Sequence, residues 1–304
     1  MNIDDIRTVL VVGAGTMGQM IGLQCAWHGY DVNLYDISTE ILDHSMQQIR
    51  TYTERLVKQG RMSQTEASEA IERIRPGTDM QRLGSNADLV SEAVPEDPEL
   101  KKKVYKQLNQ ACPPRTIFAT NTSTLLPSMF AEASGRSEKL AALHFHTPPW
   151  SSPVVDIMPH PGTSQETLQI LEAFARRIDQ IPIVMQKESS GYVFNAMLVA
   201  FLSAAMQLVA NHVASVEDVD RAWMGILHTQ VGPFGILDVV GLETAYDISK
   251  YWGEVRGDEK EKQNAQFLKQ YVDTGKLGVK TGEGFYHYPN PTYQQPGFLQ
   301  GTTE

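Results

Sequence analysis

The sequence is poor in cysteine and in long apolar runs. Cys25 and Cys112 are its two cysteines, no Cys-x-x-Cys pair or paired-histidine spacing occurs, and neither a disulfide framework nor a metal site is predicted. No apolar stretch reaches the roughly 20 residues that a membrane-spanning helix needs. The start of the chain, with Asp4, Asp5 and Arg7, lacks the pattern of a secretory signal. These absences predict a soluble protein of the reducing cytoplasm, with no membrane partner.

The chain also lacks an excess of positive charge. It has 26 Lys and Arg against 36 Asp and Glu, a formal net charge of -10. The acidic residues are spread along the sequence rather than gathered in a tail. Binding to a phosphate backbone requires clustered basic groups, so nucleic acid is excluded as an expected partner.

The 304 residues, 41% of them hydrophobic, are enough for two domains with substantial cores. Up to Lys187, short β-rich runs alternate with longer amphipathic stretches, the pattern of βαβ units on a parallel sheet. We therefore predict an α/β, Rossmann-type, mostly parallel sheet domain. The predicted strands are 8–12, 31–36, 88–93, 116–121 and, last, 181–183, and the clearest helices are 17–29, 39–60 and 98–111.

After Lys187 the pattern becomes helical throughout. Stretches 191–213, 216–227, 233–250 and 258–274 have helical periodicity, with no convincing strand among them. From Pro289 the sequence is rich in Pro, Gln and Thr, which predicts a poorly ordered tail. The predicted organisation is a sheet domain over 1–187, an all-α domain over 188–288 and a tail over 289–304.

A glycine-rich turn follows the first predicted strand directly. It reads Gly13-Ala14-Gly15-Thr16-Met17-Gly18 and opens a helix, as in dinucleotide-binding sites. Gly13 permits the tight turn, Gly15 lets a pyrophosphate approach the backbone, and Gly18 allows close packing of helix on strand. The alternative is a flexible glycine turn with no ligand.

Asp36 ends the second predicted strand, 18 residues after Gly18. A carboxylate there can accept hydrogen bonds from ribose hydroxyls and would repel a 2′-phosphate. No Arg or Lys occurs among the three residues that follow, so the sequence favours NAD over NADP. The alternative is that Asp36 only caps the next helix.

A second informative stretch runs from Leu140 to Met158. Two apolar runs flank a Pro- and Ser-rich loop, which predicts a hairpin whose midpoint lies near Trp150. His144 and Asp156 then face each other across the two strands. An imidazole beside a carboxylate can accept the hydroxyl proton in an alcohol oxidation. A structural salt bridge is the alternative.

Other polar residues have weaker signals. Asn121, Thr122 and Ser123 follow the strand 116–120, at the edge of the sheet where ligands bind, and these small polar groups are expected to hydrogen-bond the nicotinamide and the substrate oxygen. Asn195 lies in an apolar helical run, where taken alone a hydrogen-bonded core amide is expected. The remaining candidate histidines lack an evident carboxylate partner and are predicted to be surface or loop residues: His28, His146, His160 and His228.

Taken together, these residues resemble the 3-hydroxyacyl-CoA dehydrogenase family. The resemblance extends from about Val9 to Tyr288 and keeps the family's order of motifs. The matching segments are Gly13-Ala14-Gly15-Thr16-Met17-Gly18, Glu92-Ala93-Val94-Pro95-Glu96, Asn121-Thr122-Ser123, Leu143-His144-Phe145, Gly191-Tyr192-Val193-Phe194-Asn195, Gly232-Pro233-Phe234 and Gly282-Glu283-Gly284-Phe285-Tyr286.

The resemblance implies an NAD-dependent enzyme of fatty acid metabolism. It implies substrate bound between the sheet domain and the helical domain, and a homodimer formed through the helical domain. His144 then resembles the catalytic base, and Ser123 and Asn195 resemble the residues that hold the substrate oxygen. Glu96 and Lys101 resemble residues on the nicotinamide side of the site.

The sequence departs from the family at several positions. Asp156 stands where the family usually has Glu, and the family's typical His-Phe-Phe-Asn-Pro is here His144-Phe145-His146-Thr147-Pro148. Tyr52 and Gln59, with Lys58 adjacent, stand where the family supplies a Ser and a Lys to the acyl-CoA. The departure at Asp156 concerns the imidazole, which the shorter acid can still reach if the strands pair closely, and the other departures concern recognition of the substrate.

Two classes of function follow. The first is an NAD-dependent dehydrogenase of a short-chain L-3-hydroxyacyl-CoA or, as in other members of the family, of a non-CoA substrate such as L-gulonate, carnitine or a diketo ester. The second is a non-catalytic NAD-binding protein with a structural or redox-sensing role. The joint presence of Ser123, His144 and Asn195 favours the enzyme.

Overall fold

The computed structural model describes residues 2–302 and divides the chain into two compact units. The first unit ends at Val193 and the second begins at Phe194. This division lies six residues after the predicted boundary at Lys187. The predicted fold class, a Rossmann-type sheet domain followed by an all-α domain, is confirmed.

The first unit is built on one eight-stranded sheet. Its strands are β1 Thr8–Val12, β2 Asp31–Tyr35, β3 Ile74–Gly77, β4 Leu89–Glu92, β5 Ile117–Thr120, β6 Leu140–Phe145, β7 Val154–Pro159 and β8 Ile181–Val184. They lie in the order β3-β2-β1-β4-β5-β6-β7-β8. The pairs from β3 through β6 are parallel, β7 is antiparallel to β6, and β8 is parallel to β7.

Helices cover both faces of this sheet, which is why every residue of the central strands β1, β4 and β5 is buried. Along β1, Val9 and Val11 join one core cluster, and Leu10 and Val12 join the cluster on the opposite face. The helices are α1 Thr16–Trp27, α2 Thr39–Lys58, α3 Gln64–Glu72, α4 Met80–Gly84, α5 Pro98–Ala111, α6 Ser128–Ala131 and α7 Gln165–Arg177. Of these, α3, α4, α6 and α7, like strand β3, were not predicted.

The order of the strands places the candidate residues at one edge of the sheet. Strand β1 lies between β2 and β4, so the connections from β1 and from β3 leave on opposite sides of it. Crevices for ligands form at the carboxyl ends of parallel strands at such a point. The glycine turn after β1 and the polar segments after β4 and β5 all lie at this edge.

The second unit is helical. Its helices are α8 Phe194–Ala210, α9 Val216–Leu227, α10 Pro233–Val240, α11 Leu242–Arg256 and α12 Glu259–Val272. The predicted single helix over 233–250 is wrong. Gly241, at φ 95°, breaks it into α10 and α11, because this backbone conformation cannot continue an α-helix.

The predicted poorly ordered tail is also wrong. Residues 289–302 include the short 3₁₀ helices Thr292–Gln294 and Phe298–Gln300. Tyr293 and Phe298 are buried in the core of the second unit, and the Arg221 guanidinium lies over the Phe298 ring. The prediction from composition failed because the burial of these two aromatic rings is enough to order a segment whose other residues are mostly polar. Residues 303 and 304 lie outside the described residues.

Between residues 2 and 302, no helix has the length and apolar character required to cross a membrane.

The packing of the C-terminal segment generates a test. Phe298 is 1% exposed, whereas its neighbour Leu299 is 48% exposed. We expect Phe298→Ala to destabilise the second unit by about 3 to 5 kcal/mol, the usual cost of deleting a buried aromatic ring. Urea denaturation monitored by circular dichroism measures the change. Leu299→Ala is the matched control, and equal effects of the two substitutions would contradict the packing described.

Candidate active site

The glycine turn between β1 and α1 has one strained position and one tightly packed position. Gly13 has φ 99°, and a Cβ there would lie 2.7 Å from the Ala93 carbonyl oxygen. A Cβ at Gly18 would lie 1.8 Å from the Gly13 carbonyl oxygen. Both distances are far below van der Waals contact, so the fold itself requires glycine at these two positions.

Gly15 is different because the fold does not require it. Its φ is -69°, and no atom lies within 4 Å of a Cβ built there. Gly15 is the N-cap of α1, and the first turn of a helix has amide groups with no acceptor inside the helix. A bare backbone facing open space at a helix N-terminus fits an approaching pyrophosphate.

Asp36 lies beside this turn, just after β2. Its Oδ2 accepts a hydrogen bond from the Ala14 amide at 2.8 Å, and its Oδ1 accepts one from the Ile37 amide at 2.7 Å. The N-cap of α2 is Ser38, whose side chain accepts from the Ile41 amide, so capping is not the role of Asp36. The two carboxylate oxygens retain lone pairs, and the carboxylate fits the ribose of a dinucleotide.

Strands β6 and β7 pair in the predicted register, with His144 opposite Asp156. The Nδ1 atom of His144 lies 3.3 Å from Asp156 Oδ2. His144 is 5% exposed and Asp156 is 1% exposed. The hairpin thus buries an imidazole and a carboxylate side by side near the carboxyl end of β6.

His146 lies in the loop after β6, as predicted, but the expectation that it lacks a carboxylate partner is wrong. His146 Nε2 lies 3.0 Å from the same oxygen, Asp156 Oδ2, and its ring meets the His144 ring edge to face at 4.9 Å between centroids. Residues two apart on a strand point to the same side, which brings both imidazoles to one carboxylate. His28 also has a carboxylate partner that was not expected, since its Nε2 lies 3.2 Å from Asp179. His160 follows β7 in a loop, as predicted, but it is buried.

The charge of Asp156 sets the tautomer of His144. Burial raises the pKa of Asp156, but the hydrogen bonds and charges of His144 and His146 outweigh burial and hold it below its ordinary value. An ionised carboxylate only accepts hydrogen bonds. Neutral His144 therefore carries its hydrogen on Nδ1, and its Nε2 has a lone pair available for a proton.

Ser123 faces that lone pair. Its Oγ lies 3.1 Å from His144 Nε2, so the hydroxyl donates to the imidazole. Tyr192, buried at 2% exposure, stacks on the other side with ring centroids 4.4 Å apart and planes 12° from parallel. Its hydroxyl donates to the Thr122 carbonyl at 2.5 Å. The imidazole is thereby fixed between β7, the Ser123 loop and an aromatic ring.

Glu96 organises the loop that carries Ser123. It accepts hydrogen bonds from the Ser123 amide at 3.0 Å and the Thr124 amide at 3.1 Å, and another from the Thr122 hydroxyl. Burial raises the pKa of Glu96, but these hydrogen bonds and the charge of Lys101 lower it below its ordinary value. The ionised carboxylate thus holds Ser123 in place.

Lys101 joins Glu96 to a buried acid that the sequence did not single out as a site residue. Its Nζ lies 2.6 Å from Glu92 Oε1 and 3.4 Å from Glu96 Oε2, and Lys101 is only 1% exposed. Glu92 also accepts from Thr120 at 2.7 Å and Tyr105 at 3.3 Å. A buried ammonium is tolerated here because two carboxylates compensate its charge.

Asn121 connects two strands of the same edge. Its side-chain oxygen accepts a hydrogen bond from the Phe145 amide at 2.9 Å, which ties the end of β5 to the end of β6. Asn121 therefore has a structural contact in addition to its predicted contact with the cofactor.

Asn195 lies in the first turn of α8, in the second unit, and is half-buried rather than part of the core. Its predicted contact with the substrate oxygen stays a prediction. Thr16 and Met17 form the start of α1, where Thr16 is exposed and Met17 is half-buried.

The ligand types at the hairpin could also hold a metal ion. Single ligand atoms of His144, His146 and Asp156 all lie within 4.8 Å of one another. In the structure these atoms are engaged in the hydrogen bonds described above.

The loop between β6 and β7 is held against α2. The rings of Trp150 and Tyr52 lie 5.5 Å apart, and Arg61 donates to Ser151 Oγ at 2.8 Å and to the Trp150 carbonyl. Tyr52, one of the residues at the positions where the resemblance expects groups that bind CoA, therefore packs on the loop of Trp150.

Comparison with known proteins decides the family. Residues 8–189 match the model of the 3-hydroxyacyl-CoA dehydrogenase NAD binding domain, and residues 191–288 match that of its C-terminal domain. The chain belongs to the 3-hydroxyacyl-CoA dehydrogenase family. As in the family, its cofactor is NAD, and the glycine turn and Asp36 fit that dinucleotide.

Relatives of this dehydrogenase differ in what their names say they act on. The human mitochondrial hydroxyacyl-coenzyme A dehydrogenase is 33% identical over 93% of this chain and 91% of its own length. The (S)-3-hydroxybutyryl-CoA dehydrogenase of Ralstonia eutropha is 30% identical, with a TM-score of 0.85 over 94% of this chain and 100% of that one. A diketoreductase active on dicarbonyl compounds is 39% identical, with a TM-score of 0.86 over 93% and 99%.

The open space at Gly15 makes the cofactor site of this dehydrogenase testable. Valine is compatible with the backbone angles of Gly15, but its side chain would fill the space left for a pyrophosphate. We expect Gly15→Val to weaken NADH binding at least about tenfold, or about 1.4 kcal/mol, while the melting temperature without cofactor stays unchanged. Fluorescence titration and thermal unfolding measure the two quantities.

The control for that experiment lies on the same helix. A Cβ at Gly22 would meet Val32 at 3.6 Å, an ordinary contact, so Gly22→Ala should fold and bind NADH normally. Unaltered NADH affinity in Gly15→Val would show that the phosphates lie elsewhere.

Proposed function

We propose that this enzyme transfers a hydride between NAD(H) and the 3-hydroxy or 3-oxo group of a small acyl substrate, in the first instance a short-chain L-3-hydroxyacyl-CoA. One observation carries the proposal. The Nε2 lone pair of a buried histidine, whose Nδ1 faces an ionised acid, meets the Ser123 hydroxyl at the ligand edge of the sheet. This is the arrangement that alcohol oxidation requires.

In the proposed oxidation, His144 Nε2 accepts the hydroxyl proton of the substrate as the carbon–hydrogen bond at the same carbon breaks. NAD, when bound, supplies the acceptor for the departing hydride. Asp156 stabilises the imidazolium that results, because its negative charge lies 3.3 Å from Nδ1. In the reverse direction, His144 returns the proton to the carbonyl oxygen.

The remaining polar residues have proposed positioning roles. Ser123 and Asn195 hold the substrate oxygen, and Glu96 with Lys101 borders the nicotinamide side. Gly13, Gly15, Thr16, Met17 and Gly18 form the pyrophosphate turn, Asp36 binds the adenosine ribose, and Asn121 contacts the nicotinamide. Supporting these roles, Glu96 already positions the Ser123 backbone, so one carboxylate influences both cofactor and substrate sides.

A non-CoA substrate is the second candidate, and a specific observation favours it. Tyr52 stands where the family offers a Ser to CoA, and its ring packs on Trp150, whose carbonyl accepts a hydrogen bond from Arg61. The similarity to a diketoreductase that acts on dicarbonyl compounds supports this candidate. Both candidates use the same imidazole and the same hydride chemistry.

We also propose a homodimer formed through the second unit. That unit has many exposed apolar side chains, among them Ile226 at 76% and Val239 at 69%. An apolar groove of about 600 Å³ lies between α8 and α9, lined by Phe201, Leu208, Trp223, Ile226 and Leu227. Exposed apolar surface of this kind is typical of protein interfaces.

A cytoplasmic location is proposed as well. Cys25 and Cys112 are both buried and unpaired, as expected in a reducing compartment. The human relative is mitochondrial, which makes an organelle the alternative location. Cell fractionation that found this protein in an organelle would contradict the proposal.

The substrate proposal is tested by NADH oxidation with a panel of carbonyl compounds. We expect turnover with acetoacetyl-CoA, and a 3,5-diketo ester distinguishes the second candidate. L-Gulonate and L-carnitine with NAD cover hydroxy substrates without CoA. Tight NADH binding without turnover on any member of the panel would favour a non-catalytic protein instead.

The catalytic role of His144 is tested in the same assay. Because positioned acid–base catalysis contributes roughly two to four orders of magnitude, we expect His144→Ala to lower kcat by about that factor. NADH affinity should be unchanged, since His144 is not part of the pyrophosphate turn. Full activity of His144→Ala would end the proposal.

The dimer is tested by light scattering after gel filtration. We expect a mass of about 68 kDa, twice the 33.9 kDa of the chain. Ile226→Glu should shift the protein towards the monomer, because it puts a charge into the apolar groove. Glu217→Gln, on the same helix, is the control. A monomeric wild-type protein would refute the dimer.

A further inference from the structure

Two histidines share one carboxylate oxygen in this site. Asp156 Oδ2 lies 3.0 Å from His146 Nε2 and 3.3 Å from His144 Nδ1. The other oxygen, Asp156 Oδ1, is buried and has no hydrogen-bond partner. The orientation of the carboxylate therefore depends on the two contacts at Oδ2.

The contact to His146 is the shorter of the two. A distance of 3.3 Å is at the long end for an N–H···O hydrogen bond, whereas 3.0 Å is ordinary. Asp156 has a short side chain that begins on the strand opposite His144, and it does not reach far across the pair. With only the longer contact, rotation of the carboxylate would move Oδ2 away from His144.

His146 lies where it can prevent that rotation. It follows the end of β6, on the same side as His144, and its side chain is 17% exposed. Because an ionised carboxylate only accepts, His146 Nε2 carries a hydrogen and donates it. Two donors at one oxygen also compensate part of the cost of burying the charge of Asp156.

We infer that His146 is a positioning residue for the proposed reaction, acting through Asp156. Its Nε2–H holds the Asp156 carboxylate opposite His144, and the carboxylate in turn keeps His144 in the tautomer with hydrogen on Nδ1. The inference rests on the proposed role of His144 as the base. His146 itself does not exchange a proton with the substrate.

The same geometry couples His146 to the length of the acid. A glutamate at position 156 is one methylene longer and reaches across the strand pair without a lateral anchor. With His146 in place, however, the longer side chain has less room, because the His146 ring already lies 3.0 Å from the acid. Aspartate with His146, and glutamate with an apolar residue at 146, are therefore two matched combinations.

The test is a double-mutant cycle of His146→Phe and Asp156→Glu, measured as kcat and KM. We expect His146→Phe to lower kcat about ten- to hundredfold, by analogy with the outer-shell groups that orient the ligands of metal sites, with KM and NADH affinity nearly unchanged. Asp156→Glu alone should also lower kcat. The double variant should recover most of the loss, so that the two effects are strongly non-additive.

A spectroscopic measurement separates positioning from a merely structural effect. In ¹⁵N-labelled protein, long-range correlation spectra distinguish the two neutral tautomers of His144. We expect the Nδ1–H form alone in the wild type, a mixture in His146→Phe, and the Nδ1–H form again in the double variant. His28→Phe, which removes the other histidine–aspartate pair of this unit, is the matched control and should change neither kcat nor the tautomer.

The outcomes distinguish this inference from the proposed function. Full activity in His144→Ala would refute the function. Loss of activity in His144→Ala, with wild-type kcat and an unchanged His144 tautomer in His146→Phe, would refute the positioning role alone. Additive losses in the double variant would refute the coupling to acid length.

Discussion

The buried negative charge of Asp156 is the constraint on which the rest of the site depends. Asp156 lies opposite His144 because β6 and β7 pair in one register. If that register slipped by one residue, the two side chains would lie on opposite faces of the sheet. Because the carboxylate stays ionised, it accepts from the imidazole and leaves the Nε2 lone pair available. Every proposed step, from deprotonation of the alcohol to stabilisation of the imidazolium, follows from that charge.

A second hydrogen-bond network, around Glu96, positions Ser123, whose hydroxyl faces the His144 imidazole. Lys101, buried between Glu92 and Glu96, connects β4 with the loop after β5, and Glu96 fixes the Ser123 backbone in that loop. Two ionised acids, Asp156 on β7 and Glu96 in the loop after β4, thus position His144 and Ser123. Both networks lie within the first unit, at the carboxyl ends of its strands, where hydrogen bonds hold the loops against the sheet.

The sequence predicted this site wherever local pattern determines geometry. The glycine turn, the switch to helices and the hairpin register all follow from spacing, and the structure confirms them. The role of His146 was missed because the residue lies in the loop beyond the predicted strand, where the regular alternation of side-chain directions no longer predicts an orientation. Glu92 and Tyr192 were missed as site residues because their partners come from other elements. Gly241 and Phe298 show the same limit, since a helix break and a packed tail depend on tertiary contacts.

The two halves of the site constrain the sequence differently. In the proposed site a dinucleotide would be held largely by backbone at Gly13, Gly15 and Gly18, where a side chain would clash or fill the open space, so the cofactor is the more readily recognised part. The substrate side consists of side chains, and there the requirement for a negative charge beside the imidazole of His144 has more than one solution. A charge facing Nδ1 can come from a long acid alone or from Asp156 anchored by His146. The chemistry is therefore expected to persist while the pocket around Trp150 changes, in keeping with the similarity of this chain to both a diketoreductase and a 3-hydroxybutyryl-CoA dehydrogenase.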